Sequence, residues 1–235
     1  MPAKAKRLTS LVFCTIAALG AATASAESGA SWDSLVEIKS RKLDQVYVLP
    51  GASFSGYRKL MLDPAEVAFR KDWLSNMQRN RDLARNIDDE DAARIAGTVR
   101  DGVNEVFSEA YAKAGYELVT APGPDVLRLS PAIIDLYVNA PDVNTPGRSR
   151  TYVMSAGEAT LVLEVRDSVT NTLLGRAVDR RETRETGSMM WSSSVSNRAD
   201  FAALFRQWAN ITVKGFESLA ELGSIPEDLQ AWQKL

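Results

Sequence analysis

Apolar positions change their period several times along the chain, and each change predicts an element. Residues 44–49 and 57–62 read as short extended segments, stopped by Pro50-Gly51 and by Asp63-Pro64. Asp63 has the chemistry of a helix N-cap, Pro64 suits a first helical position, and Glu66 follows three residues after the cap. A short helix is therefore predicted over 64–74, with Val67, Phe69, Trp73 and Leu74 as its bulky apolar residues. Residues 32–36 suggest one helical turn ahead of these segments.

The next signal is stronger. Acidic residues crowd positions 88–91, where a helix N-terminus favours negative charge. Ile95, Val99, Val103, Val106, Phe107, Ala110, Tyr111 and Ala114 then recur at three- and four-residue spacing up to Gly115, predicting a helix over 92–114. Extended text follows at 116–120 and at 126–138 around Pro131, separated by the turn Ala121-Pro122-Gly123-Pro124-Asp125. A polar loop rich in Pro, Asn, Gly and Arg spans 139–150. Residues 159–167 alternate, with Leu161, Leu163 and Val165 on one face and Thr160, Glu164 and Arg166 on the other. Residues 173–184 return after a polar turn, so the two segments predict a hairpin. A last helix is predicted over 198–222, with Phe201, Leu204, Phe205, Trp208, Ile211, Phe216 and Leu219 on one stripe and Gly223 after it. This order predicts an α+β fold: two layers, a mostly antiparallel sheet with two long helices packed on one face.

The first 26 of the 235 residues read differently. Lys4, Lys6 and Arg7 precede an apolar run from Leu8 to Gly20, and Ala24-Ser25-Ala26 places small residues before Glu27. That is the layout of a secretory signal peptide, with an apolar run too short for a stable membrane span. The expected organisation is a signal peptide at 1–26, a flexible segment at 27–42 and a single α+β domain at 43–235, exported to the periplasm without a transmembrane segment in the mature chain. The alternative, an outer-membrane-associated lipoprotein, needs Cys14 as the lipidated residue. Bulky Phe13 before it, and the apolar run continuing through Leu19, argue against a lipobox.

Several segments resemble the domain-of-unknown-function family numbered 3313. They include Tyr47-Val48-Leu49-Pro50-Gly51 and Phe54-Ser55-Gly56-Tyr57 leading into Leu62-Asp63-Pro64. Ala121-Pro122-Gly123-Pro124 before Val126-Leu127-Arg128-Leu129, and Val165-Arg166-Asp167-Ser168 before Gly175-Arg176-Ala177-Val178-Asp179-Arg180, complete the likeness. It extends from about Leu43 onward. The resemblance implies a bacterial exported protein, in a family with many members described as lipoproteins. It brings no activity and no catalytic residue.

Composition narrows the chemistry further. There is no histidine, and the one cysteine is Cys14. A mature chain beginning at Glu27 therefore has no Ser-His-Asp or Cys-His catalysis, no imidazole or thiolate zinc site and no disulfide. No phosphate-cradling glycine pattern follows a strand. The formal net charge is −2, and removing a leader with three basic and no acidic residues makes it −5. Nucleic acid is disfavoured as a partner, and no cofactor or metal is expected.

Carboxylates remain as acid–base groups. Asp63, Asp167 and Asp179 are candidates, each better explained as an N-cap, a turn former and an arginine partner respectively. The 88–91 cluster lacks the alternation and glycine of a calcium loop. Arg176, Arg180 and Arg184 share a strand face interleaved with Asp179, Glu182 and Glu185; they form either an anion-binding surface or a salt-bridged hairpin end. Met189, Met190 and Trp191 stand together in a loop, either covering a partner or amphiphile or folding over the core. No catalytic residues are assigned. The favoured expectation is a non-enzymatic envelope module binding a protein or amphiphilic partner; the alternative is a carboxylate-based hydrolase acting on an envelope polymer.

Overall fold

The computed structural model describes residues 34–79, 87–139, 152–153, 157–183, 190–191 and 194–227. They form an α+β fold with an eight-stranded, mostly antiparallel sheet and three helices. The strands are β1 (Val36–Ile38), β2 (Gln45–Val48), β3 (Lys59–Leu62), β4 (Glu66–Phe69), β5 (Glu117–Leu118), β6 (Val126–Val138), β8 (Gly157–Asp167) and β9 (Leu173–Glu182). Their order is β1-β2-β9-β8-β6-β3-β5, with β4 also paired to β6. A separate two-stranded sheet joins β7 (Tyr152–Val153) to β10 (Met190–Trp191). The helices are α1 (Trp73–Arg79), α2 (Asp89–Lys113) and α3 (Ser194–Leu222). Among the described residues, no helix is long and apolar enough to cross a membrane.

Local signals explain the long elements. The Asp88 carboxylate accepts the Asp91 N–H at 2.9 Å and caps α2, so the acidic cluster is a helix start. Val99, Val103, Val106, Phe107 and Tyr111 are its buried stripe, and Gly115 beyond its end takes φ 91°. Phe201, Leu204, Phe205, Trp208 and Phe216 are the buried stripe of α3, which ends before Gly223 at φ 79°. The two helices touch where a Cβ on Gly102 would lie 3.6 Å from the Phe205 ring, so the small residue admits the aromatic one.

Asp167 forms the β8–β9 turn as expected, accepting the N–H groups of Val169 and Thr170, while Asn171 takes φ 58°. Along β8, Leu161, Leu163 and Val165 are buried in the core. Glu158 and Glu164, on the other face, pair with Arg180 and Arg176 of β9.

Pro131 sits inside β6 because the chain beside it is interrupted. The Leu129 carbonyl accepts the Asp63 N–H at the end of β3, so Pro131, two residues on, turns its backbone nitrogen toward the same edge. There β3 has ended at Leu62, and β4 begins to pair only at Ala132. A missing N–H costs no ladder bond at that gap.

The helix predicted over 64–74 does not form. The Asp63 carboxylate accepts from Arg128 Nε at 2.8 Å and Ser130 Oγ at 2.5 Å, so it is not a cap. Asn104 Oδ1 takes the Ala65 N–H, Arg100 Nε donates to the Ala65 carbonyl, and Glu66–Phe69 pairs in parallel with β6 as β4. Long-range partners thus outcompete a plausible local cap. The helix begins later, at Trp73, whose indole donates to the Val138 carbonyl and stacks on Phe69 at 4.1 Å. Residues 32–36 also differ from expectation: Val36 opens strand β1, and Trp32 lies outside the described residues. So does 140–150 of the predicted loop.

Candidate functional site

The sheet begins with two short strands whose connection is built from side-chain contacts. β1 and β2 pair antiparallel, Val36 opposite Val48 and Ile38 opposite Val46. Between them, Ser40 Oγ accepts the N–H groups of Lys42 and Leu43 at 3.2 and 3.1 Å. Asp44 then locks the turn to β9: its N–H donates to Asp179 Oδ1 at 3.0 Å, and its carboxylate accepts the Arg180 N–H at 2.9 Å. Arg181 adds a bond from Nη2 to the Lys42 carbonyl at 2.6 Å. The basic run Lys39-Ser40-Arg41-Lys42 is thereby held beside the C-terminal half of α3.

A cleft of about 650 Å³ lies between this connection, the β2–β9 end of the sheet and α3. Its volume falls in the range of small-molecule sites, about 300–1,000 Å³. The walls are apolar: Ile38, Leu43 and Val46 from the strands face Ile211, Leu219 and Leu222 from the helix. These side chains are partly exposed, Leu222 at 47%, so the apolar surface stays in reach of solvent. Phe54 and Phe216 are buried at its base with ring centroids 6.0 Å apart. Gly215 lines the helix side, and a Cβ there would meet nothing within 4 Å. The chain after α3 is tied down by backbone bonds between Ile225 and both Gly51 and Ala52, which fixes the end of the helix wall.

The mouth is basic. Lys39, Arg41, Lys42 and Lys214 line it with exposed side chains, and none forms an ion pair with a described residue. Glu221 is the sole carboxylate among the described residues that line the cleft. A two-carboxylate mechanism therefore has no pair in this lining. Among the described residues, no group of three or more His, Cys, Asp or Glu is placed to hold a metal.

The expected site residues fall in different places. Arg176 contributes to the cleft lining, with its guanidinium paired to Glu164 at 3.3 Å. Burial disfavours its charged form, and the Glu164 carboxylate works against that shift. Arg180 bonds Glu158 at 2.7 Å, so this pair of arginines belongs to a salt-bridged sheet face. The Arg180 hydrogen bond holds the Glu158 carboxyl below its usual range. Met190 and Trp191 are strand β10 rather than loop; their side chains, and all of Arg184 and Met189, lie outside the described residues.

Sequence reasoning missed Lys39, Arg41, Lys42 and Lys214. One signal was present: three cations within four residues, flanked by Ile38 and Leu43, in a stretch assigned to a flexible segment.

Among solved structures, similar chains include a PelC dodecamer from Paraburkholderia phytofirmans. It is 10% identical, covers 70% of this chain and 96% of its own, and gives a TM-score of 0.34. Protein XCC0632 from Xanthomonas campestris, of the family DUF330, is 12% identical over 71% of this chain and 88% of its own, at 0.32. A neuraminyllactose-binding hemagglutinin homolog from Helicobacter pylori is 9% identical over 79% and 96%, at 0.27. No curated protein matches the sequence. The family described as "Protein of unknown function (DUF3313)" matches residues 26–211, most of the chain, and the protein belongs to that family.

Proposed function

We propose that this is an exported, non-enzymatic module of the cell envelope that binds an amphiphile in the cleft beneath α3. One observation carries the proposal: an open cleft with apolar walls, lined by several cations and no carboxylate pair. An apolar chain in it would take Ile38, Leu43, Val46, Ile211, Leu219 and Leu222 out of water, which is the dominant favourable term in such binding. The same proposal puts both long helices on one face of the sheet. In support, α2, α3 and the alternate β8 residues Leu161, Leu163 and Val165 contribute to one buried cluster.

Titration calorimetry with dodecyl maltoside, a neutral single-chain amphiphile, tests the cleft. Gly215→Leu places a side chain where a Cβ now meets open space, and it should abolish binding without unfolding the protein. Equal binding by this variant, or none by the parent, overturns the proposal. The hydrolase alternative draws no support from the residues that line this cleft.

Export is supported by the N-terminal pattern and by a family match that begins at residue 26. N-terminal sequencing of protein from a periplasmic fraction should start at Glu27. A product starting at lipidated Cys14 would favour the outer-membrane alternative.

A further inference from the structure

We infer that the ligand of the cleft is a free single-chain amphiphile with an anionic head, the head being bound by Arg41, Lys42 and Lys214. This rests on the amphiphile reading above and specifies its chemical class. The apolar cleft shares Arg41, Lys42, Ile211 and Lys214 with an adjoining depression of about 460 Å³, whose lining is completed by Arg181, Gln207 and Asn210. No carboxylate is among the described residues of that lining. One part of the continuous site is therefore apolar, and the other presents cations and amides.

Four cationic side chains sit around the depression in a chain whose formal net charge is −2. Arg181 is partly neutralised by its bond to Asp179, but Arg41, Lys42 and Lys214 have no ion pair among the described residues. Like charges gathered this closely repel, and an anionic group between them reverses the sign of that term. On α3, Gln207, Asn210, Ile211 and Lys214 follow three- and four-residue spacing, so they form one stripe. Its amides can donate to head-group oxygens while Lys214 supplies charge. A few residues on, Gly215, Leu219 and Leu222 line the apolar part. One helix thus lines both parts of the site, with Glu221 the one carboxylate that its described residues contribute. The short distance between the halves suits a head attached directly to a chain.

Calorimetry on the full mature chain with dodecanoate, dodecyl maltoside and dodecyltrimethylammonium, each below its micelle concentration, separates head from chain. Dodecanoate should bind about tenfold more tightly than the maltoside, a modest total for solvent-exposed charge contacts. The trimethylammonium chain should bind weakest. Raising ionic strength from about 0.01 M to about 0.15 M should shrink the dodecanoate preference, because the screening length falls from about 30 to about 8 Å. Arg41→Gln/Lys42→Gln/Lys214→Gln should lose the dodecanoate preference over the maltoside. A thermal melt matching the parent's shows the variant to be folded.

Equal affinity for all three heads, unchanged by the triple substitution, overturns the head assignment and leaves the cleft reading intact. No binding by any chain removes both. Co-sedimentation with phosphatidylglycerol vesicles that is equal for the parent and Gly215→Leu would assign the cations to a bilayer surface, and the inference would fail.

Discussion

The Trp208 indole N–H donates to Asp179 Oδ2 at 2.7 Å, joining the middle of α3 to β9 through a carboxylate only 2% exposed. Asp179 also accepts the Asp44 N–H and pairs with Arg181, so one side chain ties the helix, the sheet and the turn before β2 together. These elements border the cleft and its basic depression. A buried carboxylate is stable here because its oxygens meet an indole, an amide and a guanidinium.

Asp179→Ala should therefore destabilise the fold by about 3–5 kcal/mol, since it strands the buried Trp208 indole, the part-buried Asp44 N–H and an arginine together. Trp208→Phe, which keeps most of the packing and removes one donor, should cost about 1–3 kcal/mol. Urea denaturation of both variants checks the ranking. A loss below about 1 kcal/mol for Asp179→Ala would show that the network is not a stabilising hub.

Two glycines should respond in opposite directions. Gly97 lies inside α2, where an added Cβ would meet nothing within 4 Å, so Gly97→Ala should stabilise by up to about 1 kcal/mol. Gly157 opens β8 opposite Val138 with φ 150°, and a Cβ there would lie 1.9 Å from the Tyr137 carbonyl oxygen. Gly157→Ala should therefore lower the melting temperature sharply or prevent folding. Thermal melts of the two variants distinguish these outcomes.

Acid should weaken the β8–β9 hairpin. Burial alone would raise the Asp167 carboxyl, but the N–H and hydroxyl of Thr170, the Tyr57 hydroxyl and the Val169 N–H outweigh it and hold the group below its usual range. Because the folded value is depressed, the stabilisation is complete above the ordinary carboxylate range and is lost as pH falls through and below it. Glu158 acts in the same direction. Asp167→Asn should be less stable at neutral pH and lose less on acidification below about pH 4. Parallel acid dependence in parent and variant would contradict this.

Tyr111 is fully buried, and its hydroxyl faces Thr212 without a hydrogen bond of good geometry. Burial pushes this phenol well above its ordinary value. Tyr111→Phe removes a desolvated hydroxyl and keeps the ring contacts with Tyr116 and Phe216. It should leave stability unchanged or raise it by about 1 kcal/mol, measured by urea denaturation. A loss above about 1 kcal/mol would mean that the hydroxyl is well bonded.

Much of the architecture was legible in short stretches of text, because the forces that write it act locally. The stripes of α2 and α3 repeat with the helical period, Asp88 and Gly115 mark the ends of α2, and the alternation of β8 shows which face it buries. Even the interior proline of β6 left the extended pattern readable.

Tertiary structure decided the rest, and in each instance the deciding partner is distant in the chain. Asp63 looked like a cap for residues 64–74 until Arg128 and Ser130 claimed its carboxylate. The free Ala65 backbone then went to Asn104 and Arg100, and Glu66–Phe69 became a strand. The cleft was equally hidden, because Lys214 joins Arg41 and Lys42 only when β1, β2 and α3 assemble around Asp179. Local periodicity reports which side of an element meets the core; it holds no record of which far residue arrives to compete for a hydrogen bond or to line a cavity.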